Sequence, residues 1–336
     1  MTFNKGADIS GDRARRSGGG ARRGAAVGGG IGGIGLIIVV LMQLLGGGSP
    51  DLSGLTGQNQ YEYEPAGGDS VADCTTSEQA NTDIDCRMDA TGLSLDDYWG
   101  TVLPEQAGIA YIAPPFSVFT GQVSTGCGAA TAAVGPFYCP PDQTVYLDTS
   151  FFEELTTKFG ASGGPLAELY VVAHEFGHHI QNQLGTMNSI DRSSTGPTSD
   201  AVRLELQADC YAGMWVRGAA QTTDANGVSY LVPPTREEIN DALSAAAAVG
   251  DDHIQETFSG QVTPHTWTHG SSEQRQRWFM TGYDQNSLAS CDTFAVSGAA
   301  VSPDNHLPDG HVPRGRQRAT RAVARSSRVR AVKPSR

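Results

Sequence analysis

Residues 171–180 read VVAHEFGHHI, an apolar stretch that contains the pattern His-Glu-x-x-His. The stretch is typical of a helix, on which positions i and i+4 lie on one face. His174 and His178 can therefore present two imidazoles to one metal ion, while Glu175 can reach a water molecule at that ion. With 8 His in 336 residues, chance produces this pattern in on the order of one chain in a hundred. The stretch predicts a metal centre suited to hydrolysis, around which the rest of the chain must fold.

A zinc centre of this kind needs a third protein ligand and one position that stays open for water. A second predicted helix, at 200–217, carries Glu205 and Asp209 four residues apart and so on one face. We predict Glu205 as the third ligand and Asp209 as the acceptor that orients the His174 imidazole. Alone, such an acidic pair is more typical of a solvated helix face. Beside the first motif, the ligand interpretation is favoured.

Four stretches carry a family resemblance: GPFYCPPDQTVYLD (135–148), VVAHEFGHHIQNQLG (171–185), RLELQADCYAGMW (203–215) and THGSSEQRQRWF (268–279). Together they resemble the bacterial putative neutral zinc metallopeptidases, and the two central ones are similar to the Glu-zincin arrangement of thermolysin-type enzymes. The resemblance implies a zincin fold, one Zn²⁺ per chain and a membrane-tethered peptidase. It also suggests that the strand at 144–147 binds extended substrate at a sheet edge, although an ordinary core strand is nearly as good an interpretation.

Periodicity and helix-end signals predict an α+β fold that is mainly helical with a small sheet. The resemblance implies that this is a zincin-like metallopeptidase domain, and an apolar run near the start of the chain predicts one N-terminal transmembrane helix before it. Strands are expected at 110–113, 117–119 and 144–147. Helices are expected at 150–159, 165–184, 200–217, 236–249 and from 272 to just before 282. A domain of about 200 residues is long enough to fold around a single core.

The chain divides into five predicted parts. These are a basic cytoplasmic N-terminus (1–27), a transmembrane signal anchor (28–45), a linker with a small disulfide loop (46–94), the zinc metallopeptidase domain (95–297) and a basic disordered tail (298–336).

The membrane prediction depends on the uncharged apolar run at 31–45. Together with the preceding glycines, the run approaches the roughly 18 to 20 residues that span a bilayer. The basic residues of the N-terminus all precede it, so the positive-inside tendency places the N-terminus in the cytoplasm. We therefore expect a single-pass protein of the cell membrane with an extracytoplasmic catalytic domain. A cleaved signal peptide is the alternative.

The 6 cysteines agree with export to an oxidising compartment. Proximity in sequence, and elimination for the last pair, predict three disulfides: Cys74–Cys86, Cys127–Cys139 and Cys210–Cys291. Many other pairings of six cysteines are possible, so the choice is a hypothesis. Metal ligation by cysteine is the other interpretation, but the chain contains no Cys-x-x-Cys pattern.

The ligand set predicts the chemistry. Glu175 would act as the general base that takes a proton from the attacking water. The negative charge that develops on the substrate carbonyl needs a donor besides zinc. We favour His269, in the turn before the last predicted helix, over His265, Arg275 and Tyr211. A surface or helix-capping histidine is an equally good interpretation of His269.

Charge sets limits on the partners. The net charge is −13, while basic residues concentrate at both ends of the chain. An acidic domain repels nucleic acid, and the tail has no aromatic residue among its arginines to stack on bases, so no nucleic-acid partner is expected. The expected partners are a peptide or protein substrate, the membrane, and an anionic polymer of the cell envelope held by the tail.

A second function class stays open from the sequence. The zinc site could be catalytically silent, in a scaffold that binds anionic envelope components through its basic tail. A scaffold does not need a general base one residue after its first ligand, so Glu175 favours the enzyme.

Overall fold

The computed structural model describes residues 1–17, 69–70, 74–131 and 134–302. The predicted transmembrane anchor, most of the predicted linker and the tail from residue 303 onward lie outside the described residues. Among the helices that are described, none is both long and apolar enough to span a membrane.

About half of the described chain is helical, and small sheets complete a mixed α+β fold. The helices are α1 (Ser77–Thr82), α2 (Ile84–Ala107), α3 (Phe151–Thr157), α4 (Pro165–Gln183), α5 (Thr186–Ser189), α6 (Asp200–Gly218), α7 (Arg236–Ala248), α8 (Asp251–Ser259), α9 (Ser272–Gln285) and α10 (Gly298–Val301). Two short 3₁₀ helices lie at Pro264–Thr266 and Leu288–Cys291.

The strands form two sheets. They are β1 (Ala14–Arg16), β2 (Asp69–Ser70), β3 (Phe116–Val118), β4 (Gln122–Thr125), β5 (Gly128–Thr131), β6 (Phe137–Cys139) and β7 (Thr144–Leu147). The five-stranded sheet has the order β2-β1-β3-β7-β6, and β4 pairs with β5 in a separate hairpin. Strand β3 is parallel to β1 and β7, whereas the outer strands β2 and β6 are antiparallel to their neighbours.

The predicted helices of the catalytic domain are present with small shifts at their ends. Helix α4 begins at Pro165 as expected, because a proline at the first turn loses no helical hydrogen bond. Helix α9 begins with a capping box in which the Ser271 hydroxyl accepts from the Gln274 backbone N–H, while the Gln274 side chain accepts from the Ser271 N–H. These local signals explain why the helix starts were predictable.

Two predictions from the sequence differ from the structure. Residues 110–113 were expected as a strand, but they make no strand pairing and lead as an extended segment into β3. Residues 84–94 were assigned to a linker, yet they form the first half of the buried helix α2. Its buried positions include Asp89, Thr91 and Gly92, which are poor helix formers. Packing therefore decides this helix, and propensity does not reveal it.

The N-terminal residues are part of the folded domain. Phe3, Ile9 and Ala14 are buried in the main core, and β1 pairs with β3 at the centre of the sheet. The backbone N–H of Ala14 donates to the buried carboxylate of Asp89 at 2.6 Å. The sequence assigned these residues to a separate basic segment and gave no sign of this packing. Their side of a membrane stays a prediction.

The three predicted cysteine pairs all form disulfides, with Cα–Cα distances of 5.3 Å for Cys74–Cys86, 5.8 Å for Cys127–Cys139 and 5.6 Å for Cys210–Cys291. The last of these joins α6, which carries Glu205, to the 3₁₀ helix after α9. The second joins the β4–β5 hairpin to β6. The Cys210–Cys291 disulfide thus constrains the helix that carries Glu205, and neither of its cysteines is among the candidate ligands.

Candidate metal centre

The two motif histidines and Glu205 meet in the interior between α4 and α6. Nε2 of His174 lies 3.2 Å from Oε2 of Glu205, and Nε2 of His178 lies 3.5 Å from Oε1. The three candidate ligand atoms all lie within 4.8 Å of one another. Zinc bonds of about 2.0–2.1 Å at tetrahedral angles separate neighbouring ligand atoms by roughly 3.3 Å. The three residues therefore fit one zinc ion.

A glycine in the first motif allows the two helices to approach this closely. A Cβ atom at Gly177 would lie 3.0 Å from the carbonyl oxygen of Ala208 and 3.1 Å from its Cα. Real Cβ atoms are seldom this close to a neighbouring backbone. The glycine between the two histidines thus brings the α4 backbone against α6, one turn from Glu205.

The His174 ring is oriented by Asp209, as the sequence predicts. Its Nδ1 lies 2.8 Å from Oδ1 of Asp209, which is fully buried. A carboxylate accepts only, so Asp209 holds a proton on Nδ1 and leaves Nε2, which faces Glu205, as the nitrogen that can bind a metal. The tautomer follows from this network. Asp209 therefore fixes which nitrogen of His174 is available to a metal.

Gln181 does the same for His178, and the sequence did not identify it. Its Oε1 lies 2.9 Å from Nδ1 of His178. Its Nε2 donates to the Leu204 carbonyl at 2.7 Å and to Oε1 of Gln207 at 3.1 Å. These donations fix the amide so that its oxygen faces the imidazole. The available signal was a glutamine three residues after a ligand, on the same face of the same helix.

Glu175 is buried, as the ligands are, but differs from them in hydrogen bonding. Its Oε2 has no hydrogen-bond partner among the described residues, although the side chain is only 7 % exposed. Burial raises the pKa of this carboxyl to about 7, although the nearby imidazole of His174 and the backbone N–H of Tyr138 in β6 both act to lower it. An unpaired buried carboxylate is costly, and a residue that exchanges protons at neutral pH gains from such a pKa.

The charge of the centre suits a divalent cation. Three carboxylates, those of Glu175, Glu205 and Asp209, are buried together with the guanidinium of Arg275. With all three carboxylates ionised and both imidazoles neutral, which is the state of these groups that binds a metal, the set has two uncompensated negative charges. Burial alone would raise the pKa of Glu205, but the imidazoles of His178 and His174 hold it well below its usual value. A Zn²⁺ ion would balance these two negative charges.

His269 lies near the ligands and is held by Asp251. Its imidazole is close enough to Glu205 for each group to shift the pKa of the other. One oxygen of Asp251 accepts from the backbone N–H groups of Thr268, His269 and Gly270 at 2.7–3.0 Å, which fixes the turn before α9. The other oxygen lies 3.4 Å from Nδ1 of His269. The structure thus brings the predicted donor to the centre.

The other candidates for that donor are placed elsewhere or are already engaged. His265 is exposed and faces a surface cavity beside the loop at 191–200. Tyr211 packs against Trp99 and lines a different cavity, whose lining includes none of the three candidate ligands. Arg275 is beside His174, but Asp209 and Val249 accept from its guanidinium.

The prediction that the strand at 144–147 binds substrate at a sheet edge is wrong. Strand β7, at Thr144–Leu147, is hydrogen-bonded to β3 on one side and to β6 on the other, so no edge is free to accept a peptide. The edge of the sheet beside the centre belongs to β6, and the N–H of Tyr138 in this strand points to Glu175. The motif GPFYCPPDQTVYLD covers both strands, and the sequence does not show which one is outermost.

Comparison with known proteins places this site in a family. The family model described as putative neutral zinc metallopeptidase matches residues 3–294. This chain belongs to that family. The matched range includes Phe3, Ile9 and the β1 strand, in agreement with their place in the core.

Two relatives of this chain are uncharacterized proteins. One, from Mycobacterium tuberculosis, is 50% identical over 233 residues, which cover 69% of this chain and 78% of the relative. The other, YpfJ of Escherichia coli, is 38% identical over 254 residues, which cover 74% of this chain and 82% of the relative. No solved structure matches the chain.

Proposed function

We propose that the protein is a zinc-dependent peptidase in which Glu175 is the general base. The observation that supports this most directly is the position of a buried carboxylate, with one oxygen free of hydrogen bonds among the described residues, one residue after the first of three residues that fit a zinc ion. A purely structural zinc site is closed by four protein ligands and needs no base beside it. Here the described residues supply three ligands and a base.

Bound zinc would polarise the substrate carbonyl and make a water molecule more acidic. Glu175 accepts the proton from that water as it attacks the carbonyl carbon, and later gives a proton to the departing amine. The raised pKa of Glu175 suits both transfers, because a group that titrates near neutral pH can accept and release a proton at low cost.

His269 is proposed as the donor to the carbonyl oxygen as negative charge develops there. Asp251 lies against its Nδ1, which leaves Nε2 as the nitrogen that can face a substrate. Burial lowers the pKa of His269, but the hydrogen bond that its Nδ1 donates to Asp251 and the charge of Glu205 outweigh burial, so the pKa is raised. A raised pKa favours the imidazolium, whose charged N–H donates more strongly to a developing oxyanion than a neutral N–H does.

The substrate is proposed to bind as an additional strand along β6. Main-chain hydrogen bonds to an edge strand hold a peptide extended, while its side chains point alternately to either side. Next to Glu175 lies a small apolar pocket lined by Pro136, Phe151, Val171 and Val249. We therefore expect a preference for an apolar side chain beside the cleaved bond.

The proposal includes an extracytoplasmic location and attachment to the cell membrane through the apolar run at 31–45. Three disulfides support an oxidising compartment, because cytosolic thiols are kept reduced. The membrane part is supported by the sequence alone.

The experiment is cleavage of casein and of a mixed peptide library by the purified full-length chain in detergent, with the zinc content measured in the same sample. Glu175→Gln and chelation are the two controls. Cleavage that disappears in both, while Glu175→Gln keeps its zinc, supports the peptidase. A chain that binds one zinc ion per molecule but cuts neither substrate would favour the alternative of a silent scaffold.

A further inference from the structure

Arg275 is a fully buried guanidinium next to a candidate metal ligand. It is 1 % exposed and lies in the first turn of α9, where the capped turn at Ser271 fixes its backbone. A buried charge is retained only where partners compensate its loss of water. The identity of those partners shows what the residue does.

Each nitrogen of the guanidinium has an acceptor. Nε donates to Oδ2 of Asp209 at 2.9 Å and Nη2 donates to Oδ1 at 2.9 Å. This is a bidentate pair between arginine and a carboxylate. Nη1 donates to the carbonyl oxygen of Val249 at 3.2 Å. Because these contacts engage its fork, Arg275 is not placed to donate to a substrate.

The same oxygen of Asp209 serves three groups. Oδ1 lies 2.8 Å from Nδ1 of His174, accepts from the hydroxyl of Tyr170 at 2.6 Å and accepts from Nη2 of Arg275. A carboxylate can rotate about its last bond, and Arg275 holds both of its oxygens. The arginine therefore fixes the plane in which Asp209 presents Oδ1 to His174.

We propose that Arg275 is a positioning residue for the metal ligand His174, acting through Asp209. This inference rests on the proposed zinc centre and extends it by one layer. Arg275 locks the carboxylate, the carboxylate locks the proton of His174 on Nδ1, and Nε2 remains free to bind the metal. Arg275 also balances the charge of Asp209, so the pair adds no net charge beside the zinc ligands.

The test is zinc affinity, measured by competition with a chromogenic chelator on the full-length chain. Arg275→Gln is expected to weaken zinc binding by about 10–100-fold, the range found when the partner of a ligand histidine is lost. Arg275→Lys keeps the charge without the fork and should lie between this variant and the wild type. Co²⁺ in place of zinc should give an altered visible spectrum in Arg275→Gln, because the position of a ligand imidazole has changed.

Arg277 supplies the matched control. It is buried two residues further along α9, and its Nη2 donates to the carbonyl oxygens of Val301 and Ser302 at 3.1 and 3.0 Å. Arg277→Gln should lower thermal stability through the loss of a buried arginine, while zinc affinity and the Co²⁺ spectrum stay as in the wild type. Equal losses of zinc in both variants would mean that Arg275 is merely structural.

A double-mutant cycle tests the route through Asp209. If Arg275 acts through this carboxylate, Arg275→Gln adds little to the zinc loss already caused by Asp209→Asn. Independent, multiplied losses would overturn the inference, as would wild-type zinc affinity and an unchanged Co²⁺ spectrum in Arg275→Gln and Arg275→Lys. Failure of the wild-type chain to bind zinc would instead overturn the proposed function itself, and with it this inference.

Discussion

The ligand network beside helix α4 and the predicted base on the same helix differ in how completely they are hydrogen-bonded. On the side that faces α6 and α9, Asp209 and Gln181 accept from the ligand imidazoles. Asp209 also accepts from Arg275, and the amide of Gln181 donates to the Leu204 carbonyl. On the side that faces β6, Glu175 has a buried oxygen without a hydrogen-bond partner among the described residues.

The difference separates the residues that hold the metal ligands in place from the residue proposed to react. Satisfied hydrogen bonds stabilise a buried polar network and give it one geometry. An unsatisfied group costs stability and stays available for reaction. We therefore expect changes on the ligand side to act on metal affinity and stability, and changes on the Glu175 side to act on turnover.

The sharpest test of the comparison is Glu175→Gln. The substitution keeps the size of the side chain but removes the base, so peptide cleavage should fall roughly 10²–10⁴-fold. Zinc content should not change, because Glu175 is not among the ligands. The measurement is the initial rate of peptide cleavage together with metal analysis. Loss of zinc in this variant would contradict the division between the two sides.

Asp209→Asn tests the ligand side, because it removes the carboxylate that accepts from His174. The amide can turn its NH₂ group toward His174 and no longer fixes the proton on Nδ1, so zinc affinity should fall about 10–100-fold. Chelator competition measures the loss. Asp200→Asn is the matched control, since Asp200 lies at the start of the same helix and accepts from the Asp191 N–H, away from the ligands. Equal losses in both variants would contradict the assigned role of Asp209.

Gly282→Ala changes the spacing of α9 and α6. A Cβ atom at this position would lie 1.8 Å from the carbonyl oxygen of Cys210, so the two helices must separate. Forced overpacking of this kind costs about 1–3 kcal/mol of unfolding free energy, which denaturant titration can measure.

Gly100→Ala is its control, because a Cβ atom there meets no atom within 4 Å. In the interior of α2 this alanine should stabilise the protein by roughly 0.5–1 kcal/mol. Similar losses of stability in the two variants would mean that the helix spacing is not set at Gly282.

Tyr138→Phe is expected to have the smallest effect. The Tyr138 hydroxyl lies 3.1 Å from Nδ1 of His179 and accepts from Asn182 at 2.9 Å, and so ties β6 to α4. Its loss should cost about 1 kcal/mol of stability. We expect a higher KM for peptides with unchanged zinc affinity, since β6 is the proposed substrate strand. A change in zinc affinity with normal KM would contradict the comparison.

What the sequence could predict follows from the range of the interactions. His174, His178 and Glu175 are set by spacing within one helix, and Glu205 and Asp209 by spacing within another. Helical periodicity together with the His-Glu-x-x-His motif was therefore enough to find them. The placement of the arginine at 275 depends on the packing of α9 against α6, and its partner Asp209 lies 66 positions away in the chain.

The same reasoning explains the errors in the sheet. Strand order is a property of the whole sheet, so the local pattern of residues 144–147 could not show that β6 covers the outer edge of β7. Helix α2 and strand β1 were missed because their polar or small residues are buried by distant partners. Asp89, for example, accepts from the backbone of Ala14 seventy-five positions away.

One pairing in the sheet bears on how the chain can meet a membrane. Strand β1 pairs with β2, with Arg15 opposite Ser70 and Arg16 opposite Asp69. The chain therefore leaves the sheet after β1 and rejoins it at the neighbouring position. Two strands that pair in one sheet lie on the same side of a bilayer. The residues between β1 and β2 would therefore cross a bilayer an even number of times. A single crossing requires β1 to leave the sheet, and a membrane-impermeant label on residue 2 would then react from the opposite face to the zinc site.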